Sequence, residues 1–305
     1  MTLCAICVSR DGKWVVCGTF RGASVWDEEM HETVIKVEGR NVVWAADFSS
    51  DSARFATGTR SPDSSASIWS TTTGKRLVGP LQHHNDISGV QFSPNGERIA
   101  TACYLGSIRV FDSRNGDELI NMRTTTPKGR GITPLAWSND AGQHIFATTD
   151  DNKIRSFDAS TGSRLAESQI LSDRYHIYSL ALPADGKFIA TFMNRSISFL
   201  DTSTLMRIGP VIEDNEEIRS IAISADSSYL ATGQKNGKII IRHVKLVLPG
   251  LYNPLHVSIA FRVPACWISP ILSSTLTSVT VYLQQEELEA TSHDSIGRSA
   301  VGYSH

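Results

Sequence analysis

Cysteine is scarce and unevenly placed. Cys4, Cys7, Cys17, Cys103 and Cys266 are an odd set with irregular spacing. That excludes a secreted disulfide scaffold and fits a reduced intracellular chain. Charge of one sign is lacking too: 29 basic residues face 31 acidic ones, for a net charge of −2. A general nucleic-acid binder would be basic, so nucleic acid is not an expected partner. No basic stretch and long apolar core follow Met1, so no signal peptide is read. The apolar C-terminal stretch is broken by Pro and Gly and holds Arg262, which makes it a poor membrane span. The nucleophile-elbow, phosphate-loop and paired-histidine zinc signatures are all missing.

What is present is repetition. His83 to Asp112 reads HHNDISGVQFSPNGERIATACYLGSIRVFD. Three short apolar runs with a period near two are separated by Gly or Pro breaks, which predicts strands. The Pro94-Asn95-Gly96 step is turn chemistry. The same turn position carries Asp11, Asp51, Asn95, Asp140, Asp185 and Asp226, in steps of 40, 44, 45, 45 and 41 residues. The third run ends at Trp26, Trp69, Phe111, Phe157, Phe199 and Ile241, in steps of 43, 42, 46, 42 and 42. Two markers with one period predict an all-β propeller, built from units of about 40–45 residues.

The units resemble WD40 repeats. The resemblance rests on VSRDGKWVVCGT…GASVWD at 8–27, FSSDSARFATGT…ASIWS at 48–70 and FSPNGERIATAC…GSIRVFD at 92–112. Weaker copies follow at 136–158, 181–201 and 222–242, so the likeness covers residues 3–242. It implies six recognisable blades, each of four strands, with a degenerate seventh left open. It also implies a non-catalytic scaffold or adaptor for protein or peptide partners. The chain is similar to divergent members of expanded fungal WD40 families, where the propeller is often the C-terminal part of a longer protein.

Blade one is expected over Cys4–Val8, Trp14–Gly18, Ser24–Trp26 and Thr33–Val37. Its first strand starts almost at Met1, so the ring closes in another way than by an upstream strand, or belongs to a longer chain. Blade two is expected to end near Val78, and its Thr59–Ser65 loop to protrude. The Thr124–Ile132 loop is expected to be exposed. Blade five should run from about His176 to Ile208, and blade six from about Ile218. Beyond residue 242 the signature fades. Residues 243–283 are either a degenerate seventh blade, with strands at Leu255–Phe261 and Leu276–Leu283, or an unrelated segment. Residues 284–305 are polar and read as a disordered tail.

In WD40 repeats a His before the first strand bonds an Asp in the tight turn after the second. Here His83 faces Tyr104-Leu105-Gly106, which has no Asp, so that polar network is expected to be incomplete. Blade four has Asp150, Asp151 and Thr148 but Phe157 in place of tryptophan, so burial is expected to do more of the stabilising. Cys4 and Cys7 lie three apart in a strand and point to opposite faces, so they read as packing residues rather than metal ligands. His83, His84 and Asp86 read as structural for the same kind of reason. Asn194-Arg195-Ser196 reads as an unused glycosylation sequon.

A surface remains. The connections between strands two and three, and between blades, share one face of a propeller. They carry Arg21, Arg40, Arg60, His84, Tyr104, Lys128, Arg130, Arg174, Tyr175, Arg195 and Lys235, opposed by Glu213, Asp214, Glu216 and Glu217. Arg and Tyr are favoured anchors on rigid scaffolds. This face is the candidate partner site, with no catalytic residue, cofactor or metal expected. The alternatives are a propeller enzyme with His84, Asp150 and Asp151 at the channel mouth, or an incomplete propeller without activity. The expected location is intracellular, in the cytoplasm rather than the nucleus.

Overall fold

The structure, a computed structural model, describes residues 3–39, 41–104, 106–123, 134–148, 151–171, 177, 179–224, 226–251 and 281–283. Six four-stranded sheets follow one another along the chain, as blades of a β-propeller. Blade one is β1 (Leu3–Val8), β2 (Trp14–Thr19), β3 (Gly22–Asp27) and β4 (Glu32–Glu38). Blade two is β5 (Val43–Phe48), β6 (Arg54–Thr59), β7 (Ser65–Ser70) and β8 (Arg76–Gln82). Blade three is β9 (Ile87–Phe92), β10 (Arg98–Cys103), β11 (Ser107–Asp112) and β12 (Glu118–Arg123). Blade four is β13 (Leu135–Trp137), β14 (His144–Thr148), β15 (Ile154–Asp158) and β16 (Arg164–Glu167). Blade five is β17 (Leu180–Ala181), β18 (Phe188–Met193), β19 (Ser196–Asp201) and β20 (Arg207–Glu213). Blade six is β21 (Ile218–Ile223), β22 (Tyr229–Gln234), β23 (Ile239–His243) and β24 (Val281–Leu283).

The repeat markers have local causes. Ser9, Ser49, Ser93, Ser138 and Ser224 donate a hydroxyl to the side chain two residues on, at Asp11, Asp51, Asn95, Asp140 and Asp226. Each serine also accepts the N–H that opens the second strand of its blade. Blade five has Pro183 at the serine position and keeps Asp185 bonded to the Lys187 N–H. At the far end of the third strand, Asp27, Asp112, Asp158 and Asp201 each accept two backbone N–H groups of the next turn. Short polar side chains hold these turns because they replace the missing ladder bonds.

Register corrects one marker. Val15 pairs with Trp26, Phe55 with Trp69, Ile99 with Phe111 and Ile145 with Phe157. In blades five and six the corresponding pairs are Ile189 with Leu200 and Leu230 with Arg242. Phe199 and Ile241, one residue earlier, therefore point to the opposite face of their blades. Each blade thus has a leading face, carrying the Trp26-equivalent residue, and a trailing face.

The core lies between blades. The trailing face of blade one, Val16, Val25 and Ile35, packs with Phe55 and Trp69 of blade two. Ala56, Ile68 and Val78 pack with Ile99 and Phe111, and Ala100, Val110 and Met122 with Ile145 and Phe157. Phe146 and Ile154 pack with Ile189 and Leu200, and Ala190 and Phe199 with Ile221 and Leu230. Each large apolar side chain buried in these layers contributes about 1.5–3 kcal/mol. The outer strands β8 and β20 carry Pro80 and Pro210, which remove a donor from a sheet edge.

The fourth strands of blades two and five run past the expected ends, to Gln82 and Glu213. After β23 the repeat is left at a short helix, α1 (Val244–Val247), capped by His243, whose ring accepts the Lys245 N–H. Val244 and Leu248 enter the layer between blades five and six. Of the predicted strand at 276–283, Val281–Leu283 runs parallel to β23 as the fourth strand of the blade-six sheet. The predicted strand at 255–261, the loop at 124–132, the start of blade five at His176 and the tail at 284–305 lie outside the described residues.

Candidate functional site

Antiparallel order puts the turn between the second and third strands at the same end of a blade as the connection to the next blade. Backbone bonds tie the two together. Gly39 donates to Arg21, Tyr104 to Asp86, Asp214 to Arg195 and Lys235 to Glu217. The residues of the loop face are thereby held on a hydrogen-bonded rim.

The best-built part lies between blades two and three. In the Thr59–Ser65 loop, the Ser61 N–H and hydroxyl and the Ser64 hydroxyl converge on Asp86 Oδ1, at 2.7, 2.8 and 3.2 Å. Partial burial pushes the Asp86 carboxyl up. The Ser61 and Ser64 bonds and the charge of Arg60 outweigh it and hold the group below the usual carboxylate range. The loop is pinned rather than loosely protruding. Its Arg60 guanidinium lies 3.4 Å from the centre of the Trp44 ring, a cation–π stack. Trp44 in turn borders the central channel, a cavity of 430 Å³ walled by inner-strand residues such as Ala5, Ser88, Leu135, Leu180 and Ala222.

Around the rim, Arg21, His84, Tyr104, Arg195, Lys235, Glu213 and Glu216 are exposed. Glu217 is half-buried between Arg219 and Lys235, at 3.1 and 3.2 Å. Among the described residues, acidic and basic groups therefore lie side by side at blade six. Asp214 corrects the sequence reading outright: it is 7% exposed, ion-paired with Arg242 and bonded to Thr232. It belongs to the interior, and its partner lies 28 residues downstream. Arg40, Lys128, Arg130, Arg174 and Tyr175 lie outside the described residues.

The expected polar networks take other forms. His83 bonds Thr101 Oγ1 at 3.1 Å and lies 2.8 Å from Cys103 Sγ. Burial first, then the charges of Arg109 and His84, push its pKa down to about 4. Asp151 makes a two-point pair with Arg155, whose Nε also donates to Glu167. Blade four is thus more polar than predicted. On the inner strands, Asp47 accepts the Phe92 N–H at 2.7 Å and faces Cys7 at 3.7 Å. Burial, its largest influence, drives its carboxyl up to about 7. Among the described residues no cluster of His, Cys, Asp or Glu is arranged to hold a metal ion, and no helix is long and apolar enough to cross a membrane.

Sequence reasoning passed over Trp44 and Asp86 as site residues. Trp44 was legible as a tryptophan in a first strand where blades one, three and four carry Cys4, Ser88 and Thr133. Asp86 stood in a loop read as structural, and its contact with Ser61 and Ser64 joins residues more than 20 apart.

The family model described as "WD domain, G-beta repeat" matches residues 32–70 and 209–242. The "Anaphase-promoting complex subunit 4 WD40 domain" model matches residues 62–140. Among curated relatives, Eukaryotic translation initiation factor 3 subunit I of Scheffersomyces stipitis is 29% identical over 46% of this chain and 43% of its own length. The Guanine nucleotide-binding protein subunit beta of Arabidopsis thaliana is 31% identical over 42% of this chain and 35% of its own. The chain therefore spans less than half the length of these two relatives. Among solved structures, the Cps50 (Swd1) β-propeller domain of Myceliophteria thermophila aligns with a TM-score of 0.69 at 19% identity, covering 79% of this chain and 82% of that one. A chain of the Mitotic Checkpoint Complex aligns at 0.67 and 17% identity, covering 77% and 72%. At these identities the likeness shows the fold.

Proposed function

The chain belongs to the WD40-repeat family, and we propose that it is a non-catalytic scaffold or adaptor that binds protein or peptide partners through its loop face. The observation that carries this reading is the Arg60–Trp44–Asp86 cluster. It presents an aromatic ring and a guanidinium at the channel mouth on a loop already fixed by four hydrogen-bonding groups. A preorganised loop loses little conformational freedom on binding, and Trp and Arg are frequent binding anchors. The printed names of the relatives describe subunits of larger assemblies, which supports the same class. We infer further that it acts inside the cell, in the cytoplasm; the odd number and irregular spacing of its five cysteines suit a reducing compartment.

The test is charge reversal in the full chain. Arg21→Glu, Arg60→Glu and Arg195→Glu are combined on the loop face, against Lys13→Glu, Arg114→Glu and Lys187→Glu on the opposite face. Proteins retained from native cells are quantified by mass spectrometry. The loop-face variant is expected to lose its specific partners by at least about tenfold, as anchors worth roughly 2 kcal/mol dictate. Loss confined to the opposite-face variant would refute the assignment.

A further inference from the structure

The Thr59–Ser65 loop carries a hydroxyl that partner binding leaves unused. Ser61, Pro62 and Asp63 are exposed at its tip. At the base, Thr59 Oγ1 accepts the Ser65 N–H at 3.0 Å and donates to the Asp63 carbonyl at 2.6 Å, which ties the two ends together. The tip is latched by Ser61 and Ser64, both to Asp86 at the entry to blade three. Two Ser-Pro steps fall among the described residues. Ser93, before Pro94, is 3% exposed, and its hydroxyl holds the turn through Asn95 and Arg98. Ser61, before Pro62, is the exposed one.

Proline-directed serine kinases select a hydroxyl followed directly by Pro, and a polar tip with few buried contacts opens at low cost. We propose that Ser61 is a phosphorylation site, and that its phosphate unlatches this loop and switches the loop face off. The switch rests on the loop-face reading; the site itself does not. In the transfer, the Ser61 hydroxyl oxygen of the opened loop attacks the γ-phosphorus of ATP held by the kinase. The Oγ–P bond forms as the γ-phosphorus parts from the β–γ bridging oxygen. ADP leaves with that electron pair, and the hydroxyl proton goes to a base of the kinase. The consequence is local electrostatics. The unmodified hydroxyl donates to Asp86 Oδ1 at 2.8 Å. The phosphate ester replaces that donor with about −1.5 to −2 charge at neutral pH. It meets a carboxylate that the Ser61 N–H and the Ser64 hydroxyl hold in its ionised form. Two anions at hydrogen-bond distance exclude one another, so the loop cannot reclose on Asp86. Arg60, next in the chain, pairs with the phosphate and is drawn off the Trp44 ring. Latch and anchor are lost together.

The wild-type full chain is isolated from native cells with phosphatase inhibitors present, and its Ser-Pro peptides are mapped by mass spectrometry. Phosphate is expected at Ser61 and absent from Ser93. The full chain is then made with phosphoserine incorporated at position 61 during translation and compared with the unmodified chain by hydrogen exchange. The Ser61 amide, which donates to Asp86, is expected to exchange at least about tenfold faster, with the turns at Ser9–Lys13 and Ser93–Glu97 unchanged. Retention of partner proteins is expected to fall by at least about tenfold as well. In Asp86→Asn the opposing charge is gone, and the phosphate should change the Ser61 exchange less. Should that variant not fold, the wild-type pair still decides. If charge reversal of the loop face leaves the partners bound, the loop-face reading fails, and mapping and exchange still decide the site. The proposal is overturned if the recovered Ser61 peptide carries no phosphate, or if phosphate at Ser61 leaves the exchange of its amide unchanged. It is equally overturned if charge reversal releases the partners while phosphate at Ser61 does not.

Discussion

Blades two and six use the same two positions for opposite chemistries. In blade two Trp69 donates its indole N–H to Thr57 at 2.9 Å, a neutral pair. In blade six Arg242 stands where Trp69 stands, Thr232 where Thr57 stands, and Asp214 where His83 stands in blade three. Arg242 bonds both Thr232 and Asp214. The strands keep the same register around either set. What the fold requires at these positions is a closed set of partners; the identity of each residue is secondary. A charge introduced at the tryptophan position is accommodated because its counter-charge arrives from the preceding connection.

The sharpest way to break the comparison is to remove one member of the ionic set. Arg242→Leu leaves Asp214 buried without its counter-charge and is expected to cost about 3–5 kcal/mol in urea denaturation. The double variant R242L/D214L should recover most of that loss, since an apolar pair replaces an ion pair at little cost.

Next comes pH. Asp47 ionises near 3.8 in the unfolded chain and at about 7 in the folded one, so the folded state keeps the extra proton between these values. Through this group the protein loses stability as pH rises from about 4 to about 7. His83 has the opposite sign. It protonates near 6.5 unfolded and at about 4 folded, so its contribution is complete above pH 6.5 and is lost as pH falls towards 4. The two slopes partly cancel. Asp47→Asn should unmask a melting temperature that rises with pH across this window, and His83→Gln one that falls, each on the order of 2 kcal/mol.

Trp69→Phe removes one neutral hydrogen bond and should cost about 1 kcal/mol, well below the ionic set. Arg114→Ala breaks an exposed pair with Glu97. It should shift the urea midpoint by no more than about 0.5 kcal/mol's worth.

The blade count and most strand positions were legible because two kinds of turn, Ser-x-Asp before the second strand and Asp after the third, write their chemistry into adjacent residues. The slip at Phe199 and Ile241 has a physical cause. Both faces of β19 are buried and Ile239-Ile240-Ile241 in β23 is a continuous apolar run, so neither strand offers an apolar–polar alternation to set the register. Asp214 looked like part of a solvated acidic run because its neighbours are, and only the fold brings Arg242 to it. The loop face was legible as a set of residues, since topology alone assigns turns to ends. The Arg60–Trp44 stack was not, because it joins the first strand of blade two to the loop after the second through a side-chain contact.

Hydrogen exchange on the full chain, alone and in complex with the proteins it retains from native cells, tests the functional account most directly. The account predicts slowed exchange at the loop-face turns around Arg21, Arg60–Ser64, Asp86, Arg195 and Lys235. The opposite turns at Ser9–Lys13, Ser49–Ala53 and Ser93–Glu97 should be unchanged. Protection of the opposite turns with the loop face unchanged would contradict it.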